Sequence, residues 1–336
     1  MRIFLCGGGD GTQTASAYKK LNEIINHTKP LLYIPLAMES EKYPSCLEWI
    51  TNELKELNIC NIEMVTQASE ILNKNLYNYC AIFIGGGNTF KLLKELKTSG
   101  AFTKIKEFIQ NNGIIFGASA GAIIFGKNLK SCALDDYNTV GLEDISGFDV
   151  LNGYSILCHY TNRTKEKDEE SKKYLLDLSK GEKIIALPEE DTIYINNNNI
   201  EVIGNKPYYI FENGHIKEHH PKLPTWQFGI DNDKLVELVL KGIKTATTSL
   251  NNTKIPQVGE RSILTFENEK KACIIETKKV IITKFKNITS EMAFLEGEGD
   301  RTLEYYKKTH IDYFKSIEPN FSEETGVIFE IFEVLE

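Results

Sequence analysis

The 336-residue chain has no apolar run approaching the roughly 18 residues that a membrane-spanning helix needs. Its opening, "MRIFLCGGG", has one Arg and a short apolar stretch before three glycines, too little for the core of a secretory signal. Paired cysteines are also missing. The seven are scattered, none has CxxC spacing, and Cys6, Cys80, Cys158 and Cys273 lie inside apolar runs. They read as reduced core residues of a cytoplasmic protein, not as a disulfide framework. There is no basic excess: the net charge is −8, residues 221–336 hold 16 basic against 19 acidic side chains, and residues 1–220 hold 23 against 28. This argues against broad affinity for nucleic acid or an anionic membrane. No His, Cys and carboxylate set stands at ligand spacing, so no metal is expected. No GK[ST] occurs, and GxGxxG fails in every register of "CGGGDGTQ" (6–13). The second strand-like run ends in "IPLA", with no acid for a ribose, so no nucleotide cofactor is expected. Gly7–Gly9 then read as a tight turn.

What is present is ordinary for a soluble globular protein: 41% hydrophobic and 26% charged residues. The length suits two domains. Residues 1–130 alternate between continuous apolar runs and helical patterns. The runs are "RIFLC" (2–6), "LLYIPLA" (31–37), "NIEMV" (61–65), "CAIFIGG" (80–86) and "GIIFGAS" (113–119). Helical patterns include 14–27 and 43–58. Continuous runs are what a parallel sheet covered on both faces requires, so the expectation is a doubly wound α/β domain. Residues 184–217 read as hairpins that add an antiparallel edge. "KEHHPKLPTW" (217–226) marks a boundary. A helix over 231–244 and several strands follow, which fits a small, partly closed β-barrel.

Two stretches carry candidate chemistry. "FIGGGNTFKLLKEL" (83–96) follows a strand and opens a helix, so its glycines expose N–H groups to an anion. Gly117-Ala118-Ser119-Ala120-Gly121 is G-x-S-x-G between a strand and a helix, the setting of a nucleophile elbow. There the Ser119 hydroxyl projects above the sheet and the Ala120 N–H points at a developing oxyanion. A serine nucleophile needs a base. His27 ends a helix, His215, His219 and His220 lie in a hairpin and linker, and His310 lies in the second domain. His159 remains, at the end of an apolar run. The acid that orients it is open at this point: Glu189, Glu190 and Asp191 follow one strand, and Asp135 and Asp136 compete.

The helix-opening glycines, "FGASAGAIIFG", Cys158-His159-Tyr160 and "ALPEE" occur in this order at spacings that resemble the dipeptidase E family of serine peptidases, which includes relatives of cyanophycinase. The resemblance covers about residues 1–215. It implies a class I glutamine amidotransferase-like (flavodoxin-like) fold with Ser in place of Cys at the elbow, over a domain taken as 1–217. It implies Ser119 as nucleophile, His159 as base, Glu189 as the orienting acid, and the N–H groups of Gly86 and Ala120 as the oxyanion hole. The substrate implied is a short peptide. Two positions depart from the family pattern: Cys158 precedes the His where Pro is common, and Glu190 follows the Glu where Gly is common. The extra carboxylate works against an acidic N-terminal residue in the substrate.

"WQFG" (226–229), "GIKTATTSL" (242–250) and "AFLEGEGDRTLEYYKKTHIDYF" (293–314) resemble the ASCH domain, here 226–336 after a linker at 218–225. That resemblance implies a PUA-like small barrel associated with RNA. Some relatives deacetylate N(4)-acetylcytidine with a Lys-x-x-Thr pair and a distant Glu, which match Lys244, Thr247 and Glu296. A buried Lys244 with a depressed pKa would be the base there. The alternative to a peptidase is therefore a nucleoside amidohydrolase or RNA-binding protein on a non-catalytic scaffold. A third reading, an amidotransferase-like binding domain without hydrolase activity, gains if the Cys158 side chain rather than Ser119 reaches the oxyanion hole.

Overall fold

The computed structural model describes residues 1–59, 61–197, 199–252 and 255–335. It divides into two compact units, Met1–Lys222 and Leu223–Glu336. In the first unit the elements are β1 (Arg2–Cys6), α1 (Ala15–Ile24), β2 (Leu31–Ile34), α2 (Tyr43–Leu54), β3 (Ile62–Met64), β4 (Ile82–Ile84), α3 (Thr89–Ser99), α4 (Ala101–Gln110), β5 (Ile114–Ala118) and α5 (Ala120–Ile123). They continue with β6 (Tyr154–Leu157), α6 (Lys165–Leu178), β7 (Lys183–Ala186), β8 (Thr192–Asn196), β9 (Asn199–Ile203), β10 (Tyr208–Glu212) and β11 (His215–His219). The main sheet has the order β3-β2-β4-β5-β1-β8-β9. It is parallel from β3 to β1 and antiparallel at β8 and β9.

The continuous apolar runs have the cause expected of them. Successive strand residues face opposite sides, and both sides are covered. Ile3, Leu5, Leu32, Ile34, Ile82, Ile84 and Ile115 pack with α3, α4 and α5. Phe4, Cys6, Leu31, Tyr33, Phe83 and Phe116 pack with α1 and α2. A row of stacked rings crosses four strands on that second face. Tyr194, Phe4, Phe116 and Phe83 follow one another at centroid distances of 4.4, 5.6 and 4.9 Å. Two helices are shorter than the sequence pattern suggests. α1 stops before the polar Asn26–Lys29 and Pro30, and α2 gives way to a tighter turn that ends at Asn58 in the left-handed region, φ 58°.

Residues 184–217 do not all join the antiparallel edge. β8 and β9 do, but β10 and β11 form a second, four-stranded sheet with β7 and β6, in the order β11-β10-β7-β6. The strand that leads to His159 belongs to this smaller sheet. "LPEED", between β7 and β8, is thus the crossover from one sheet to the other.

The second unit contains β12 (Thr225–Trp226), α7 (Asn232–Leu240), β13 (Ala246–Leu250), β14 (Arg261–Thr265), β15 (Lys271–Lys284), α8 (Ser290–Glu296), α9 (Leu303–Ile317) and β16 (Gly326–Val334). Its sheet order is β12-β14-β15-β16-β13. β15 pairs with β14 through its first half and with β16 through its second, with a register shift between Thr277 and Lys279. Such a bulge bends the strand. Among the described residues no ladder joins the edge strands β12 and β13. One core cluster gathers Phe285, Tyr306, Phe314, Phe321 and Phe329, and another gathers Val236, Val239, Leu264, Ile275 and Phe332.

Phe116 is fully buried and touches rings on both neighbouring strands and Tyr18 of α1. Phe116→Ala should destabilise the first unit by about 3–5 kcal/mol. Chemical denaturation followed by circular dichroism should show an earlier transition for that unit, and an unchanged midpoint would refute the packing role.

Candidate active site

The site is built where three strand ends meet. β1 ends at Cys6, and its next peptide groups act as a bracket. The Ser119 N–H donates to the Cys6 carbonyl at 3.1 Å, the His159 N–H donates to the Gly7 carbonyl at 3.0 Å, and the Gly7 N–H donates to the Asp191 carbonyl at 2.9 Å. One extended segment thus holds the turns that carry the serine, the histidine and the "PEED" crossover. The histidine turn is tied to the crossover as well, because the Tyr160 N–H donates to the Leu187 carbonyl at 2.9 Å.

Ser119 sits at φ 52°, ψ −116°, a conformation costly for a residue with a Cβ. His159 is also left-handed, at φ 59°. Their side chains converge. Ser119 Oγ lies 2.8 Å from His159 Nε2, and His159 Nδ1 lies 2.8 Å from Glu189 Oε1. This pattern fits a neutral imidazole with its proton on Nδ1, donating to the carboxylate and accepting from the hydroxyl. The imidazole is about one-third exposed and Glu189 about one-quarter, so substrate can reach the pair.

The other candidate carboxylates are engaged elsewhere. Glu190 accepts from Asn162 Nδ2 at 3.1 Å. Asp191 is fully buried, and its Oδ1 accepts from the Asn205 and Lys206 N–H groups. Asp135 pairs with Arg163 at 2.6 Å. Asp136 accepts from the Thr89 N–H at 2.9 Å and from its hydroxyl, at the start of α3. Burial raises the Asp136 pKa, against the lowering effect of Thr89 and of nearby His159. Cys158 lies beneath the elbow. Its thiol is 3.6 Å from the Cys6 carbonyl and 3.7 Å from the Ser119 carbonyl, is almost wholly buried, and has its pKa pushed up by burial. It does not take the place of Ser119.

Gly86 approaches the serine closely, and a Cβ there would lie 3.1 Å from Ser119 Cβ. Among the described residues, no hydrogen bond is made by the Gly86 or the Ala120 N–H.

Two features of the site were hidden in the sequence. Gly8, read there as part of a plain turn, packs on the imidazole: at φ 120°, a Cβ would lie 2.2 Å from His159 Cε1. Gln13 was not singled out at all. Its Nε2 donates to Glu189 Oε2 at 2.8 Å while its Oε1 accepts from the Asp10 N–H at 3.1 Å. Asn162 accepts from the Glu189 N–H at 2.8 Å. Both carboxylate oxygens of Glu189 are therefore fixed, one by the base and one by Gln13. The available signal was "GGGDGTQ", an Asp that turns the chain three residues before an amide; Asp10 Oδ1 accepts from the Thr12 and Gln13 N–H groups.

In the second unit Lys244 and Glu296 form a fully buried pair, and Glu298 Oε1 lies 2.7 Å from the same ammonium. Thr247 lies outside this network. Thr248 donates to Glu296 Oε1 at 2.6 Å and accepts from the Tyr306 hydroxyl at 2.7 Å. Thr247 and Thr248 both border a cavity that Glu298 and His310 also line. Burial works to lower the Lys244 pKa, but Glu296 and Glu298 outweigh it and hold the ammonium above its ordinary value. This reverses the depressed pKa expected of a lysine base. Glu296, Glu298 and His310 could offer a metal three ligand atoms within 4.8 Å of one another. The Lys244 ammonium already bridges both carboxylates, so the arrangement is that of an ion-pair cluster and does not fit a metal.

The family model described as "Peptidase family S51" matches residues 3–203, and "ASCH domain" matches residues 224–336. "Peptidase E" of Shewanella sp. (strain W3-18-1) is 28% identical over 210 residues, which is 60% of this chain and 86% of that protein. "Peptidase E" of Salmonella arizonae is 26% identical over 199 residues, 56% of this chain and 83% of that one. Among solved structures, a putative peptidase E from Listeria monocytogenes EGD-e superposes with a TM-score of 0.50 at 24% identity, covering 61% of this chain and 98% of that one. At that identity the likeness speaks for the fold alone.

A fluorophosphonate probe should label Ser119 in the wild type and fail to label Ser119→Ala. Labelling should slow by about 10²-fold in Gly8→Ala, whose methyl group displaces the imidazole. Gln13→Ala should slow it by about tenfold with the fold retained by circular dichroism. Unchanged labelling in Gly8→Ala would contradict the imidazole contact.

Proposed function

Since the chain belongs to peptidase family S51 and carries an ASCH domain, we propose that it is a serine peptidase that hydrolyses short peptides through a Ser119-His159-Glu189 triad. The observation that carries this reading is the unbroken chain of hydrogen bonds from the serine hydroxyl to the carboxylate, 2.8 Å at each link. His159 Nε2 takes the hydroxyl proton as Ser119 Oγ bonds to the scissile carbonyl carbon. The Gly86 and Ala120 N–H groups receive the oxyanion. His159 then passes the proton to the leaving amine, and water repeats the sequence on the acyl-enzyme. Glu189 keeps the imidazole in the right tautomer and stabilises the imidazolium.

We also read the first unit as a class I glutamine amidotransferase-like (flavodoxin-like) variant and the second as PUA-like. A cytoplasmic location fits the six described cysteines, all free and five of them buried. No described helix is long and apolar enough to cross a membrane. The nucleoside amidohydrolase reading ranks second, because Lys244 is held as a cation and the threonine that hydrogen-bonds Glu296 is Thr248. An ASCH module that binds RNA or a modified nucleoside without chemistry remains compatible with this assignment. The carboxylates of Glu190, which follows Glu189, and of Asp136, close enough to His159 to interact with it, favour neutral over acidic N-terminal residues in the substrate.

A dipeptide panel with Asp, Glu, Asn and neutral N-terminal residues tests this directly. The wild type should cleave members with neutral N-terminal residues, and Ser119→Ala should lose at least about 10³-fold in kcat/KM. Absence of cleavage across the panel would sink the short-peptide reading.

A further inference from the structure

The peptide group between Cys158 and His159 is held at both of its edges. Its N–H, on the His159 side, donates to the Gly7 carbonyl at 3.0 Å. Its carbonyl, on the Cys158 side, accepts from Arg163 Nη2 at 2.8 Å. The first bond belongs to the strand-end bracket, and the second comes from a side chain that no step of the serine chemistry uses. Only 12% of the Arg163 side chain is exposed. The same Nη2 lies 2.6 Å from Asp135 Oδ2, and Nη1 donates to the hydroxyl of the buried Ser171 on α6 at 2.9 Å. One guanidinium thus joins the histidine turn, the loop that carries Asp135, and a helix.

The histidine turn needs such a hold. His159 at φ 59° and Thr161 at φ 69° are both left-handed, with only Tyr160 between them. That region is rare for a residue with a Cβ and rarest for a β-branched one such as Thr. It persists only where the surroundings over-determine it. Rotation of the Cys158–His159 peptide group would redirect the His159 Cα–Cβ bond and swing the imidazole away from Ser119 and Glu189, each 2.8 Å from it. The bond to Gly7 fixes one edge of the peptide group and leaves the carbonyl edge to Arg163. A guanidinium suits that edge, because its nitrogens share one plane and keep their charge. Asp135 and Ser171 hold the plane from two other segments.

We propose that Arg163 is a positioning residue of the triad, whose guanidinium locks the Cys158–His159 peptide group and so aims the imidazole at Ser119. The inference rests on the serine-hydrolase reading of Ser119, His159 and Glu189. Arg163 acts on the backbone that carries the ring, so it bears on the chemical step and leaves substrate affinity alone.

Labelling of the full chain over a range of fluorophosphonate concentrations separates the limiting rate constant from the half-saturating concentration. In Arg163→Met the limiting rate should fall by about 10²-fold, while half-saturation stays within about threefold of wild type. Labelling that still reaches completion shows that the variant is folded. Proton NMR gives a second readout. The Nδ1 proton between His159 and Glu189 should resonate far downfield in the wild type, vanish in His159→Gln, and shift or broaden in Arg163→Met. Arg163→Lys keeps the charge and loses the planar fork. It should slow labelling by at least about tenfold, and it decides the question if Arg163→Met does not fold. A limiting rate within about threefold of wild type, a loss confined to half-saturation, or an unchanged downfield proton would each overturn the proposal. A wild type that does not label would refute the serine nucleophile instead, and the downfield proton would then decide the role of Arg163. Absence of both labelling and that proton from the wild type would refute the triad and this inference together.

Discussion

The candidate active site depends on one short piece of backbone, the extension of β1 through Cys6 and Gly7 into Gly8. The carbonyls of Cys6 and Gly7 and the Gly7 N–H hold the turns that carry the serine, the histidine and the crossover segment of the carboxylate. Gly8 then presents a bare backbone to the imidazole face. A side chain at that point would occupy the space of the ring. The three functional groups are far apart in sequence, and this strand end gives them a common reference. The left-handed backbone at Ser119 and His159 persists because hydrogen bonds on both sides over-determine it.

The two-sheet design of the first unit serves the same geometry. The serine rises from the parallel sheet, while the histidine follows a strand of the smaller sheet. Glu189, the carboxylate that His159 meets, stands on the segment that passes from one to the other. Packing on the parallel sheet is dense on both faces, so the strand ends have little freedom to move. The Ser119 and His159 positions inherit that rigidity, and Gln13 and Asn162 extend it to Glu189.

Much of this was legible in the sequence, but unevenly. Continuous apolar runs announced a covered parallel sheet because such strands are buried on both faces. G-x-S-x-G between strand and helix marked Ser119, since only small neighbours permit that turn. His159 followed from the positions of the other five histidines. The carboxylate beside His159 was different: five competed, and which of them meets the imidazole depends on where a sheet crossover passes. That is a long-range fact, with no local signature in "PEED". Gly8 looked like any turn glycine, because its partner lies about 150 residues away in the chain. Lys244 misled for a similar reason. Its chain neighbour is a Thr, but its electrostatic partners are Glu296 and Glu298, and they reverse the direction that burial alone would give.

Placing Glu189 on the passage between two sheets also ties reactivity to completion of the fold. A serine on a strained corner is a poor nucleophile until its base is oriented, and the base has no carboxylate until the second sheet is in register with the first. A partly folded chain of this kind carries its hydroxyl, imidazole and carboxylate as separate, inert groups.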